Sequence, residues 1–393
     1  MREVVVAGAA RTPIGKFGGA LAGLTAADLG ATAAAEALRR AAIPPNLVDG
    51  TIFGCARQAG IGPNVARQVS YRAGVPQEVA AFTINMACGS GLKAMDLAFR
   101  QVRDGDAEVM LAGGTESMSR VPYLLTEARW GYRMGNRPAV DAMYQDGFLC
   151  PLAEMVMGET AERLAETCQI TREEQDSFAH RSQERAAAAL RDGRFDAEIV
   201  PVRVPGRKAD VEVRSDEHPR PGTTLDDLAR LPAVFKSTGT VTAGNSSGIT
   251  DGAAAVVVLS REKATRLGVE PMARLLGVAE AGVDPRVMGI GVVPAVRRLL
   301  ERLDLGLADF DLVEVNEAFA AQVIACDREL HFDASRTNVN GGAIALGHPV
   351  GATGARISVT LLHEMRRRGA RRGLATLCVS GGMGLAAAFE SLN

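Results

Sequence analysis

The sequence predicts an α/β protein built from two similar halves with a folded insert between them. Strands alternate with helices in the first and last thirds of the chain, both thirds repeat one order of elements, and the middle breaks that order. The chain of 393 residues is long enough for two or three domains. Its content of 47% hydrophobic and 23% charged residues is that of a folded globular protein.

The first half alternates short apolar runs with helical patterns. Thr25 is placed to cap a helix that runs to about Arg40. Apolar residues recur at helical spacing from Leu92 to Val102, and this second helix stops near Gly105. Strands are predicted at 4–8, 51–54, 81–84 and 108–114. This alternation indicates parallel strands joined by helical crossovers.

The C-terminal third repeats that order. Helices are predicted at 294–303 and 355–368. Strands are predicted at 275–278, 310–315, 337–340 and 374–378, the last closing the chain before a Gly-Gly pair. Both halves therefore run strand, helix, strand, strand, Gly-rich turn, helix and strand, which predicts a duplicated domain.

Between the halves lies a predicted insert. Thr171 opens a capping box before a long Ala-rich helix toward Gly193, and 202–231 is rich in Pro, Gly and charge, as in extended loops. The apolar run 253–259 predicts a strand that returns to the first half, with Ser260 capping the next helix. The predicted domains are 1–118 with 250–270, the insert 119–249, and 271–393.

Composition excludes several function classes. The net charge of −2 gives no general attraction to nucleic acid or to an anionic membrane. No apolar run approaches the roughly 20 residues that span a bilayer, and no signal peptide is recognisable, which predicts a cytoplasmic protein. The six cysteines are scattered without a C-x-x-C pair, which argues against a disulfide framework and a zinc site.

Cys88 is the first candidate for chemistry, in the run Cys88-Gly89-Ser90-Gly91 between a predicted strand and helix. A thiol at a helix N-terminus is expected to ionise more easily and to become a better nucleophile. The neighbouring glycines are expected to let a substrate approach the backbone. The alternative is a buried cysteine that packs under a tight turn.

Three further polar residues occur at predicted strand ends or turns. His348 occupies the corresponding Gly-rich turn of the second half and is a candidate general base, although an isolated histidine is more often a satisfied core residue. Cys378 ends the last predicted strand, where ligands of parallel sheets usually bind. The Gly-rich backbone after it could supply oxyanion donors. Asn316 also ends a strand, and its amide could hold a polarising water.

Together these segments resemble the thiolase family. The runs Cys-Gly-Ser-Gly, Asn-Glu-Ala-Phe-Ala, Gly-His-Pro-x-Gly-x-Thr-Gly and Cys-x-x-Gly-Gly-Met-Gly follow in the family's order, and the resemblance extends from Ala10 to the C-terminus. It implies a five-layered α-β-α-β-α core of two duplicated domains with an inserted loop domain. It also implies a homodimer, often paired into a homotetramer through about 127–141.

The resemblance implies the residue roles. Cys88 would be acylated, His348 would activate it, Cys378 would exchange the α-proton of the second substrate, and Asn316 would position an oxyanion-hole water. The other oxyanion hole would use the backbone N–H groups of Cys88 and Ser380, although the family usually has Gly at the latter position. The implied coenzyme A and acyl contacts are Met157, Arg220, Phe235, Ser247, Met288, Ala318 and Phe319. Val156 departs from a position often held by His.

The implied reaction is acyl transfer between thioesters without a cofactor, with acyl-CoA and CoA as substrates. Condensation of two acetyl-CoA and thiolysis of 3-oxoacyl-CoA are its two directions, and longer-chain esters or 3-oxoadipyl-CoA are the alternative substrates. A nucleotide-dependent enzyme is disfavoured because Gly8 to Lys16 lacks phosphate-loop spacing. Cys378 argues against a decarboxylating ketoacyl synthase, which lacks a second thiol there. The intact set of four polar residues argues against a non-catalytic acyl-CoA or lipid carrier.

Overall fold

The computed structural model describes residues 2–206 and 208–392; Met1, Arg207 and Asn393 lie outside it. Within these ranges the strands are β1 (Val4–Arg11), β2 (Gly15–Lys16), β3 (Gly50–Gly54), β4 (Ala81–Ile84), β5 (Val109–Ser117), β6 (Tyr123–Leu124), β7 (Val140–Asp141), β8 (Leu149–Cys150), β9 (Met155–Val156), β10 (Val202–Val204), β11 (Val211–Val213), β12 (Thr250–Ser260), β13 (Ala273–Gly282), β14 (Leu312–Val315), β15 (Arg372–Val379) and β16 (Met383–Glu390). The α-helices are α1 (Ala26–Arg40), α2 (Val65–Arg72), α3 (Ser90–Asp104), α4 (Met157–Thr167), α5 (Arg172–Arg191), α6 (Leu225–Ala229), α7 (Arg261–Leu267), α8 (Val292–Leu303), α9 (Ala320–Leu330), α10 (Ala343–Leu346) and α11 (Thr353–Arg368).

The long strands form two sheet halves that meet edge to edge. The first half has the order β4-β3-β5-β12-β1 and the second the order β13-β16-β15-β14. They join where Val5 and Val6 pair with Arg274 and Ala273. In the insert, β6 with β7, β8 with β9, and β10 with β11 form separate two-stranded pairs.

Apolar side chains divide this arrangement into five layers. Helices α3 and α11 share one buried core with the inner faces of both sheet halves. Helices α1 and α2 pack on the outer face of the first half, and α8 and α9 on the outer face of the second. Strand residues alternate between these cores, as the period of two in a strand requires: Leu377 and Val379 face inward, whereas Cys378 faces outward. The predicted five-layered α-β-α-β-α architecture is confirmed.

The duplication extends to the order of every layer. In the first half β1, β3, β4, β5 and β12 follow one another. In the second half β13, β14, a bridge at Thr337, β15 and β16 occupy the corresponding positions. The predicted strand 337–340 is wrong: only Thr337 pairs, with Val313, because Asn338 (φ +45°) and Gly341 (φ +79°) turn the chain away.

Two further expectations need correction. Pairing is parallel between β3 and each of β4 and β5, and between β14 and β15, but β1, β12, β13 and β16 pair antiparallel. The sheet therefore has fewer parallel strand pairs than the alternation of strands and helices predicted. Residues 374–378 are not the closing strand either, since β15 turns back at 380–382 and continues as β16.

The insert contains the predicted long helix, α5, which Thr171 and Glu174 begin with a capping box. Its Ser182 hydroxyl donates to Glu317 at 2.7 Å and accepts from the N–H of Gly342 at 3.0 Å, so α5 covers the edge of the second half. The 202–231 segment contains β10, β11 and α6 among its loops, more regular structure than predicted. Across the described residues, no helix has the length and apolarity needed to cross a membrane.

Candidate active site

One cavity of about 450 Å³ brings together most of the predicted site residues. Those that line it are Cys88, Met157, Arg220, Phe235, Ser247, Met288, Ala318, Phe319, His348 and Ser380. Cys378 and Asn316 do not line it and are completely buried. Val156, the noted departure, is also part of the wall.

Cys88 lies in a turn between β4 and α3 that is held in an unusual conformation. Ala87 has φ +44°, in the left-handed region that a residue with a Cβ rarely adopts. Ser90 stabilises this turn: its hydroxyl donates to the carbonyl of Ala87 at 2.7 Å and accepts from the N–H of Met86 at 2.8 Å. Ser90, the first residue of α3, therefore fixes the backbone of the turn that carries the Cys88 thiol.

The expectation that Cys88 ionises easily is wrong for the resting protein. Burial raises the pKa of its thiol, and this outweighs the opposite effects of the Ser380 N–H, the Arg57 charge and its own N–H. Both N–H groups nevertheless lower the pKa of the thiol, as groups close to the Cys88 sulfur do. They are the two groups that the family resemblance assigned to an oxyanion hole.

Gly91, which follows Cys88 and lies in α3, and Gly354 of α11 allow the two helices to pack closely. A Cβ at Gly91 would lie 2.8 Å from the backbone N of Ala355, and one at Gly354 would lie 2.5 Å from the N of Leu92. Helices α3 and α11 therefore touch backbone to backbone at their N-termini. Because Cys88 and His348 lie in the turns that lead into these helices, this contact brings the two residues to the same cavity.

His348 is buried and has a defined tautomer. Its Nδ1 lies 2.6 Å from the Thr353 hydroxyl, which donates its single proton to the carbonyl of Pro349 at 2.9 Å. The hydroxyl oxygen must therefore accept from Nδ1–H, and Nε2 keeps its lone pair. Burial, followed by the charges of Arg356 and Arg57, lowers the pKa of His348 to about 3, so the ring is neutral.

Cys378 and Asn316 end neighbouring parallel strands behind the cavity. Burial raises the pKa of the Cys378 thiol well above its usual value, and the nearby Cys88 adds to the shift. The amide of Asn316 is buried, and neither its nitrogen nor its oxygen has a hydrogen-bond partner among the described residues. A buried amide without partners is costly, so this amide is suited to bind a water or a ligand oxygen.

The rest of the cavity is a mainly apolar channel. The rings of Phe235 and Phe319 meet edge to face with centroids 6.2 Å apart. Ser247 donates its N–H to the carbonyl of Ala318 at 3.0 Å, which joins the insert to the second half. A neighbouring cavity of about 310 Å³ shares Arg220 with the first, so the Arg220 end continues away from Cys88.

Two charged residues at this site, Glu116 and Arg57, were not predicted from the sequence. Glu116, on the apolar strand β5, accepts from the N–H groups of Ala56 at 3.1 Å, Arg57 at 3.0 Å and Gly351 at 2.7 Å. It thereby ties the loop after β3 to the turn that follows His348. Arg57 lines the cavity beside Cys88. An acidic residue in an apolar strand and an arginine just after a buried strand end were the available signals.

Comparison with known proteins decides the family. The N-terminal domain of thiolase matches residues 4–262 and the C-terminal domain of thiolase matches 269–391. The chain belongs to the thiolase family. This thiolase is 52% identical over 395 residues to an acetyl-CoA acetyltransferase of Syntrophomonas wolfei subsp. wolfei, covering 100% of both chains. It is 52% identical over 391 residues to that of Cupriavidus necator, covering 99% of this chain and 100% of the relative.

Solved structures agree. The crystal structure of the Bacillus anthracis acetyl-CoA acetyltransferase aligns with a TM-score of 0.98 and 46% identity, over 100% of this thiolase and 99% of that chain. Human mitochondrial 3-ketoacyl-CoA thiolase aligns with a TM-score of 0.96 and 43% identity over the same shares. The family resemblance and the fold predicted from it are both confirmed.

Proposed function

We propose that this thiolase condenses two acetyl-CoA molecules into acetoacetyl-CoA and CoA, and catalyses the reverse thiolysis. The observation that carries the proposal is the convergence of Cys88, His348 and Ser380 in one cavity, with Cys378 buried near Cys88. The names of the relatives support acetyl-CoA as the substrate.

The first half-reaction transfers an acetyl group to the enzyme. As the neutral Cys88 thiol attacks the thioester carbonyl, Nε2 of His348 accepts its proton. A C–S bond forms to Cys88, the bond to coenzyme A breaks, and the departing CoA sulfur takes the proton from His348. The tautomer fixed by Thr353 leaves the required lone pair on Nε2.

The second half-reaction forms the carbon–carbon bond. Nε2 of His348 takes the proton of the Cys378 thiol, and the resulting thiolate removes a proton from the methyl group of a second acetyl-CoA. The carbanion attacks the acetyl carbonyl on Cys88, the C–S bond to Cys88 breaks, and acetoacetyl-CoA is released. The Cys88 sulfur takes the proton from His348, and Cys378 keeps the proton of the methyl group. The raised pKa of Cys378 gives its thiolate the basicity that this proton transfer needs.

Two oxyanion holes stabilise the negative charge that develops on the thioester oxygens. One is formed by the N–H groups of Cys88 and Ser380, both of which lower the pKa of the Cys88 thiol. The serine side chain leaves this N–H in place. The other is formed by Nε2–H of protonated His348 and a water held by the unpartnered amide of Asn316.

Coenzyme A would occupy the channel that leads away from Cys88. Met157, Met288, Ala318 and Phe319 would flank the acyl group and pantetheine, and Ser247 would contact the pantetheine. Phe235 and Arg220 would contact the nucleotide, where the second cavity begins. The thioester is a substrate, and the proposed chemistry uses neither a metal nor a cofactor. Longer 3-oxoacyl-CoA and 3-oxoadipyl-CoA are the alternative substrates.

We further propose a cytoplasmic homotetramer made of two dimers. The segment 127–141 is the proposed tetramer contact. It carries the strongly exposed side chains of Trp130, at 88% exposure, and Met134, at 87%. Replacing 127–141 with a short Gly-Ser linker should give stable, active dimers by light scattering. A monomeric wild type would contradict the assembly.

The experiment that tests the function is acetyl trapping. Wild-type protein mixed with acetyl-CoA and digested should carry one acetyl group, on the peptide that contains Cys88. Cys88→Ser should lose turnover by on the order of 10⁵-fold and keep the wild-type circular dichroism spectrum. Acetylation at Cys55, Cys150, Cys168, Cys326 or Cys378 instead would refute the assignment.

A further inference from the structure

Arg57 is the charged residue of the cavity wall for which the proposed reaction has no use. Its residue exposure is 7%. Among the described residues, no acceptor lies within hydrogen-bond distance of its guanidinium and no carboxylate lies within ion-pair distance; its buried Nε is without a partner. A buried cation without a direct hydrogen-bond or ion-pair partner is destabilising, so a ligand is the natural partner.

The nearest acidic group does not meet this need. The Glu116 carboxylate accepts three backbone N–H groups, from Ala56, Arg57 and Gly351, and also contacts the Cys55 thiol. Its oxygens are thus occupied by the turns that they hold together. Glu116 acts on the Arg57 guanidinium only through its charge, without a direct bond.

The position of Arg57 places its charge at the acyl end of the cavity. An added Cβ at Gly147 would lie 2.5 Å from Nε of Arg57, so the guanidinium lies directly against this glycine. The adjacent Ala56 packs in one cluster with Val350 and Cys88. Arg220, in contrast, lines both cavities, whereas Arg57 lines only the cavity that contains Cys88.

We propose that Arg57 binds a carboxylate at the far end of the acyl chain, and that the substrates of this thiolase include 3-oxoacyl-CoA esters of short dicarboxylic acids. The inference rests on the proposed function and specifies its substrate class. A guanidinium offers a planar pair of donors that matches a carboxylate, and a charge-assisted bond in a dry pocket is strong. Phe148, Ile249 and Val350 would contact the methylene groups between them.

The test compares esters of equal carbon number that differ only at the chain end. Thiolysis of 3-oxoadipyl-CoA is measured against 3-oxohexanoyl-CoA, and the next longer pair is measured in the same way. Wild type should show the higher kcat/KM for the dicarboxylic ester of at least one pair. Arg57→Met, which keeps the side-chain bulk, should lower this preference by about 10- to 100-fold. Arg57→Lys should retain part of it, which also covers the case that Arg57→Met does not fold.

Arg220→Met is the matched control, because it removes an arginine from the opposite end of the cavity. It should lower kcat/KM for the dicarboxylic and the neutral ester by the same factor, so that the ratio of the two kcat/KM values is unchanged. If wild type cleaves acetoacetyl-CoA but prefers the neutral ester of every pair, the inference fails alone. Equal losses on both esters in Arg57→Met would also overturn it and would assign Arg57 to the nucleophile. If wild type cleaves no 3-oxoacyl ester, the proposed function fails as well.

Discussion

The two halves of this thiolase share one order of elements but differ in a single connection. Between β15 and β16 the chain turns within residues 380–382, and Gly381 and Gly382 have φ of +89° and +83°. The corresponding connection from β5 to β12 contains the whole insert. The tight turn delivers the Ser380 N–H to Cys88, whereas the long connection builds the channel wall around the substrate. The first half thus supplies the channel wall through its insert, and the second half supplies the backbone N–H of Ser380.

The sheet edges differ in the same way. The edge of the second half is a single bridge at Thr337, and α5 of the insert covers it: Arg185 donates to the carbonyls of Thr337 and Ala334, both at 2.7 Å. Strand β4, at the corresponding edge of the first half, is only partly buried, and Phe82 is 41% exposed. An open strand edge invites pairing with another chain. This asymmetry supports a dimer contact through the first half.

The largest effects are expected when the catalytic residues of the second half, His348 and Cys378, are substituted one at a time. His348→Ala should lower both acetylation of Cys88 and condensation, by about 10²- to 10⁴-fold. Cys378→Ser should lower condensation and thiolysis to a similar degree, yet exchange of acetyl between coenzyme A molecules should persist. Exchange is followed with labelled CoA. If Cys378→Ser loses exchange as completely as Cys88→Ser, Cys378 is a structural neighbour of the nucleophile and not a separate base.

A smaller effect is expected from the hydroxyls that begin α3 and α11. Thr353→Val should lower kcat by about tenfold with little change in KM, because the Nδ1–H of His348 loses its acceptor. Thr353→Ser, which keeps the hydroxyl, should restore most of the rate. Ser90→Ala should instead lower stability by about 1 to 3 kcal/mol, seen as a lower Tm, because the N–H of Met86 loses its partner. If Thr353→Val and Ser90→Ala change Tm and kcat to the same extent, the two hydroxyls have the same role and this distinction is wrong.

The smallest expected effect concerns pH: acetylation of Cys88 should not depend on titration of His348. Because the pKa of His348 is lowered to about 3, the ring stays neutral at every higher pH, and acetylation of Cys88 should show no inflection near pH 6.5. Because the pKa of Cys88 is raised, alkylation of the free enzyme by iodoacetamide should still increase with pH above about 9. Rapid quench and peptide mass spectrometry measure the two rates. A plateau of alkylation near pH 7 would mean that the helix N-terminus, not burial, controls the thiol.

The fold and the four catalytic candidates could be predicted from the sequence because the helix caps and Gly-rich turns that indicate them are local patterns. Thr25 and Thr171 cap the predicted helices, and Cys88 and His348 stand in Gly-rich turns. Strand 337–340 was overpredicted because the positive φ of Asn338 has no clear local signal. The partner of Glu116 at Gly351 is distant in sequence, and only the contact between α3 and α11 brings that turn near. Burial likewise decided the pKa of Cys88, and burial is a property of the assembled fold.

The pairing of β1 has a consequence for synthesis. Val4 pairs with Ser260, and Val5 pairs with Leu259 on one side and Arg274 on the other. Strand β1 is synthesised well before β12 and β13, so it waits for a long stretch of chain to follow before either neighbour exists. Contacts this distant in sequence are slow to form, and an unpaired apolar strand is prone to aggregate in the meantime. The join between the two halves thus depends on a strand that is synthesised well before its partner in the other half.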